Sequence, residues 1–285
     1  MLDAVLWIAM AFALGVGARQ IGLPPLVGFL GAGFLLHLLG AEESPLIEQL
    51  ADLGVTLLLF SIGLKLKLKS LAAPQVWGVA GLHMLAVIAA LAPLLLALGQ
   101  LGLPYLSELD YKTAILLAFA LSFSSTVFAV KILEEKGEMG ALYGSLAIGI
   151  LIMQDLAAVV FLAASAGKVP TLWALALFLL IPLRPVLFWL LERAGHGELL
   201  LLFGLTLGLG GAALFDAVQV KGDLGALLLG VLLAAHPKSG ELAKSLLGIK
   251  DLLLLGFFLS IGLTGIPGWD AAPLILVLLL LGLFK

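Results

Sequence analysis

No residue from Leu199 to Leu214 carries a charge, and the apolar side chains there fall on every side of any regular backbone. Such a segment cannot present one wet face and one dry face. In hydrocarbon, an open helix satisfies all of its own backbone groups, whereas a transmembrane barrel strand would alternate apolar and polar residues over about ten positions. Similar stretches recur along the 285 residues, of which 62% are hydrophobic and 12% charged. Soluble domains carry about a quarter charged residues. The chain therefore reads as an all-α polytopic membrane protein, and an ordinary soluble enzyme is excluded.

Charged, Gly/Pro and Ser clusters divide the chain into spans at 3–17, 24–39, 50–64, 76–99, 113–130, 142–165, 171–191, 197–216, 222–235, 249–264 and 272–285. At roughly 20 residues per crossing this makes about eleven helices. Spans 50–64 and 222–235 are short for a hydrocarbon core of about 30 Å, which points to broken or protein-buried helices. Asp3 stands where a secretory signal would carry basic residues, so the first span reads as a retained helix. Cysteine is absent, which removes disulfide and thiol chemistry. No basic cluster with interleaved aromatics supports nucleic-acid binding.

With the N-terminus outside, the cytoplasmic segments hold Arg19, Lys65, Lys67, Lys69, Lys131, Lys136, Arg184, Arg193, Lys238, Lys244 and Lys250, and the opposite side holds Lys112, Lys168 and Lys221. Eleven against three is a positive-inside bias, and it sets the expected orientation in a cytoplasmic (inner) membrane.

One internal repeat stands out. Leu59-Phe60-Ser61-Ile62-Gly63-Leu64 recurs as Phe258-Leu259-Ser260-Ile261-Gly262-Leu263, and the same offset of 199 lays Gly31 on Gly230 and span 3–17 on span 197–216. The offset crosses the membrane an odd number of times, so the halves are expected to be inverted: 3–166, a linker helix 171–191, and 197–285. Inverted halves are a common construction of secondary transporters, with the site near the midplane. The second half holds fewer spans than the first, so the transport domain 1–285 is expected to be C-terminally truncated, lacking two helices.

Asp155 lies near the centre of span 142–165, about 20 Å along a helix that rises 1.5 Å per residue. Asp3, Asp52, Asp223 and Asp251 fall at expected helix ends, where a cap or an interface accounts for them. An acid at bilayer depth costs several kcal/mol and marks an ion or proton path. Beside it, Gln154 offers an amide that cannot exchange a proton. Span 113–130 carries Ser122-Phe123-Ser124-Ser125-Thr126, a run able to support an unwound stretch whose carbonyls and hydroxyls replace the hydration shell of an alkali ion. Asp155, Gln154, Ser124, Ser125 and Thr126 are thus the candidate cation and proton site. Lys285 would be an intramembrane lysine able to pair with Asp155. His83 falls three residues before Ala86, the repeat mate of Lys285, and is the other candidate ion-pair or proton-linked residue.

On Gly22-Leu23-Pro24-Pro25-Leu26-Val27-Gly28, Leu57 to Leu64, Ser124-Ser125-Thr126, Gln154-Asp155-Leu156-Ala157 and Phe257 to Leu263, the chain resembles the monovalent cation:proton antiporter-2 family, particularly its Kef-type potassium/proton members. The resemblance implies a sodium/proton-antiporter-like inverted-repeat fold of thirteen helices, of which about eleven are here, with two crossed discontinuous helices. It implies a homodimer and an elevator-like movement carrying potassium, ahead of sodium, in exchange for protons. Asp155 would be the carrier, Gln154 would replace a second acid, and Lys285 would match the lysine of the eleventh helix; where Kef-type relatives often place Gln, this chain has His83. No cofactor is expected, nor any metal beyond the transported cation. A cytosolic nucleotide-binding regulatory domain, common in Kef-type proteins, is not present in these residues. The rival readings are a passive or ligand-gated potassium efflux channel-like protein and a non-transporting fragment. An intramembrane aspartyl protease needs two facing carboxylates.

Overall fold

The computed structural model describes residues 2–42, 44–66, 73–103, 105–165, 171–266 and 268–283. It holds twelve α-helices and no strand among the described residues: α1 (Leu2–Gln20), α2 (Pro25–Leu38), α3 (Pro45–Lys65), α4 (Pro74–Gln100), α5 (Tyr111–Ser122), α6 (Thr126–Glu135), α7 (Leu142–Ser165), α8 (Arg184–Arg193), α9 (Glu198–Ala217), α10 (Gly222–Leu233), α11 (Ser239–Leu263) and α12 (Ala272–Leu283). Two 3-10 segments, Leu172–Leu180 and Trp269–Ala271, precede α8 and α12.

Each expected span coincides with helix, but three differ in instructive ways. The span expected at 50–64 begins at Pro45, because Ser44 caps it by accepting the Ile47 N–H and proline suits the first turn. It is therefore long enough to cross, and the expectation that it was too short is corrected. Span 249–264 likewise begins at Ser239. Its charged first half is helical and packed: Lys250, expected in a cytoplasmic segment, is fully buried within the helix and lies 3.1 Å from Asp251. Asp52 and Asp251 accordingly lie inside helices rather than at their ends. The expected continuous linker 171–191 is a 3-10 segment followed by α8, bent by 54°. Pro182 and Pro185 lie at or beside the bend, where each removes a backbone donor. Span 222–235 stays short, twelve residues in α10. By length and composition, α3, α4, the interrupted α5–α6, α9 and α11 can each cross a membrane, and the bent pair is either a broken sixth span or a re-entrant loop.

The chain divides into two compact units. The first contains α1–α3 and the residues from the end of α7 through α11. Here the helices meet through glycine. A Cβ on Gly63 of α3 would lie 2.9 Å from the Gly230 Cα of α10, and a Cβ on Gly33 of α2 would lie 2.7 Å from the Gly262 Cα of α11. Backbones this close exclude any side chain, the usual device of membrane helices that have no hydrophobic drive to associate. Gly31, which the offset lays on Gly230, has open space around it; the close approach falls at Gly33 instead. Phe60 and Leu64 of α3 pack with Leu200, Leu229, Leu233 and Leu242 into an apolar cluster. Thr56 donates to Asp223 at the head of α10 across 3.4 Å.

The second unit contains α4, α5, α6, α7 to Ala158, and α12. α5 starts at Asp110, whose side chain accepts the Thr113 N–H at 2.9 Å. The Thr113 side chain and backbone donors hold this carboxyl below the usual aspartate range. α4 packs on α5 around Leu95, Leu106 and Ala118. Val76 of α4 presses on Gly149 of α7, where a Cβ would lie 3.1 Å from its Cγ1.

The glycine contacts make a paired prediction. Gly33→Ala and Gly63→Ala should each lower the thermal stability of the detergent-solubilised protein, by about 1–3 kcal/mol as overpacking does, whereas Gly31→Ala should leave it unchanged. Equal melting curves for all three would refute the close-packing account.

Candidate functional site: a helix break against a half-buried aspartate

The second unit places a gap in one helix beside an acid on another. The Ser122–Thr126 run splits span 113–130 into α5 and α6, so the expected unwound stretch is found at Phe123, Ser124 and Ser125. Phe123 and Ser125 are both extended, with ψ of 149° and 107°. Serine hydroxyls offer the backbone alternatives to the helical ladder. Ser122 Oγ donates to the Phe119 carbonyl at 2.6 Å, closing α5. Ser125 Oγ accepts the Phe128 N–H at 3.2 Å and so caps α6.

A break leaves backbone groups without helical partners, and buried ones must find others. Gln154 of α7 supplies them from its two ends. Its Oε1 accepts the Ser124 N–H at 3.2 Å, and its Nε2 donates to the Ser122 carbonyl at 3.3 Å. Gln154 is 2% exposed and Ser122 is fully buried. A carboxylate at position 154 could accept the first bond but could not donate the second, which is a physical reason for an amide here. Gln154, expected as part of the cation and proton site, has its amide oxygen on a backbone donor, and the side chain clamps the break. The Ser122 carbonyl, not singled out from sequence, is the other end of the clamp. Its signal was only that it begins the hydroxyl run.

Asp155 follows Gln154 on α7 and is half-buried. Thr126, the first residue of α6, donates its hydroxyl to Asp155 Oδ2 at 3.0 Å. Thr126 is itself buried, whereas Ser124 and Ser125 are exposed. The carboxylate thus sits against the first turn of α6. Four of the five expected residues are joined pairwise by these bonds, Asp155 to Thr126 and Gln154 to Ser124, and the fifth, Ser125, caps α6. His83 of α4 reaches the same region, since it lines a cavity of about 300 Å³ together with Ser124, Gln154, Ala147, Ile150 and Leu151. Lys285 lies outside the described residues. Among the described residues, no group of three or more His, Cys, Asp or Glu is arranged to hold a metal ion.

Apolar helices of spanning length, one of them interrupted beside an aspartate, define a polytopic helical membrane protein. The Sodium/hydrogen exchanger, transmembrane family matches residues 6–285, and the chain belongs to that family, one of transporters rather than enzymes. It is also similar to the Escherichia coli (strain K12) protein named "Putative cation/proton antiporter YbaL", 32% identical over 288 positions that cover 90% of this chain and 50% of that protein. The chain therefore spans about half the length of the curated relative it matches.

The clamp is testable apart from transport. Gln154→Ala should speed hydrogen exchange at the Ser124 amide and destabilise the protein by about 1–3 kcal/mol, the cost of leaving buried polar groups unsatisfied. An unchanged exchange rate at Ser124 would show that the break is held by something else.

Proposed function

We propose that the protein exchanges a monovalent cation, potassium ahead of sodium, for a proton across the membrane, with Asp155 as the site the two share. The observation that carries this reading is the Thr126–Asp155 hydrogen bond at a helix break inside a sodium/hydrogen exchanger family domain. A carboxylate that holds either a proton or a cation couples the two movements by competition. With one acid at the break and an amide beside it, one proton is exchanged for one cation and the cycle is electroneutral. Freed backbone groups and the hydroxyls of Ser124, Ser125 and Thr126 are suited to replace part of the cation's hydration shell. The name of the Escherichia coli relative supports cation/proton exchange, and the preference for potassium rests on the resemblance to Kef-type proteins.

The same reading includes an inverted repeat, 3–166 and 197–285 about the linker 171–191, with an elevator-like alternating-access movement. The reciprocal glycine contacts support it: α3 meets α10 at Gly63 and Gly230, and α11 meets α2 at Gly262 and Gly33, so the third helix of each half packs on the second helix of the other. We place the protein in the inner membrane as a homodimer with its N-terminus outside, on the positive-inside bias and the resemblance. Lys285 is the residue proposed to pair with Asp155.

Proteoliposomes with an imposed potassium gradient and an internal pH dye test the reading. Asp155→Asn should abolish exchange, and Thr126→Val should weaken it roughly ten- to a hundredfold, in keeping with about 1.5–3 kcal/mol for a hydrogen bond to a charged group. Proton-coupled transport that survives Asp155→Asn excludes the mechanism, and potassium flux without proton movement favours the channel.

A further inference from the structure

From Leu172 to Arg193 the linker buries a single side chain, Leu191, yet it is fastened to the first unit at both extremities. Each fastening falls at the end of a helix, where the last carbonyls have no partner within the helix itself. At the start of the linker, Thr171 directs its N–H at 3.1 Å and its hydroxyl at 3.4 Å to the carbonyl of Val218, the residue that closes α9. At the start of α8, Arg184 donates from Nε to the Leu232 carbonyl, in the last turn of α10, at 2.9 Å. Just past the end of α8, the Gly195 carbonyl accepts from Lys238 Nζ at 3.2 Å, and Lys238 lies between α10 and α11. α8 and α10 thus cap each other: each receives a cation from the other's side at its C-terminal end, where positive charge is favoured.

Packing fills the space between these ties. Leu180, Leu187 and Phe188 lie against the apolar cluster of Leu200, Leu229 and Leu242. The Arg184 guanidinium lies over the Phe188 ring at 4.9 Å, and the same ring meets His236 edge-on, with centroids 4.9 Å apart. His236 Nδ1 accepts the Lys238 N–H at 3.2 Å, and its Nε2 lies 3.5 Å from Glu192 Oε1. For α8 to slide along the first unit, the Leu232 and Gly195 carbonyls would have to give up charged donors together, and such bonds are stronger than neutral ones. The 54° bend above α8 is stiffened by Pro182 and Pro185, each of which fixes its own φ.

We propose that the linker is a fixed strut of the first unit and not a hinge: residues 171–193 keep their places on α9, α10 and the turn before α11 through the whole transport cycle. The travel of the second unit is then taken up outside them. This rests on the elevator-like movement read above. Arg184 and Lys238 are positioning residues that hold the strut, and neither touches the transported ion.

The chain contains no cysteine, so introduced pairs can be bridged without background. Two pairs are made separately in the full-length protein, Thr171→Cys with Val218→Cys and Glu192→Cys with His236→Cys, and each is bridged in proteoliposomes with a short bifunctional thiol reagent. Each pair should bridge at the same rate with potassium absent and with potassium saturating. Potassium/proton exchange after bridging should equal that of the unbridged pair. Exchange that is lost on bridging and returns on cleavage of the bridge would show that the linker moves, and would overturn the proposal. A bridging rate that changes with potassium, or a folded pair that does not bridge, would overturn it too. Because the pairs lie at opposite ends of the linker, one that does not fold leaves the other to decide. Ser124→Cys, in the second unit, separates this inference from the reading beneath it. Its thiol should react with an impermeant reagent from both faces of the membrane; reaction from one face alone defeats the alternating-access reading, whatever the bridges show.

Discussion

A helix interrupted among apolar neighbours leaves polar backbone groups that hydrocarbon cannot satisfy, and in this protein one side chain takes up that debt. Gln154 accepts the Ser124 N–H and donates to the Ser122 carbonyl. The α5–α6 gap, the cap at Ser125 and the position of Thr126 against Asp155 all follow from that two-ended bond. Because the clamp and the acid are consecutive residues of one helix, the geometry of the break is transmitted directly to the carboxylate. A helix that simply continued through Ser122 to Thr126 would bury the same hydroxyls in back-bonds to the preceding turn.

The first unit solves a different problem with different chemistry. Its helices approach to backbone contact at Gly63 and Gly230 and at Gly33 and Gly262, and the apolar cluster around Phe60 fills the space beside one of these crossings. Several of its polar groups are tied to backbone: Arg184 Nε donates to the Leu232 carbonyl, Lys238 Nζ to that of Gly195, and Asp216 accepts the Gly222 N–H that opens α10. In the second unit a cavity of about 300 Å³ borders the break. A transport site needs polar groups and room for water, and glycine packing provides neither.

Much of this was legible without coordinates, for reasons that are local. Helix content follows from apolar runs that lipid permits in no other open form. The break followed from hydroxyl residues clustered inside a span, and the choice of Asp155 from its depth within span 142–165. What failed also failed locally. Cutting at charges shortened α3 and α11, because Asp52, Lys250 and Asp251 read as ends when they lie within helices. Treating 171–191 as one helix overlooked Pro182 and Pro185. The repeat offset named Gly31 where the backbone contact falls on Gly33, since a shift of two residues is invisible in an apolar sequence that tolerates either register.

By itself the sequence determined that the chain is helical and that it resides in a membrane, and it singled out the acid of span 142–165 and the hydroxyl run of span 113–130 as the candidate site. These are consequences of composition and position, which need no partner. Only the tertiary structure decided which atoms meet: that Thr126 rather than Ser124 or Ser125 reaches Asp155, that Gln154 turns both ends of its amide to the backbone, and that His83 faces the same cavity. Hydrogen bonds between α5, α6 and α7 join residues about thirty apart in the chain, and their pairing depends on the rotation and register of helices whose apolar faces look alike until they are packed.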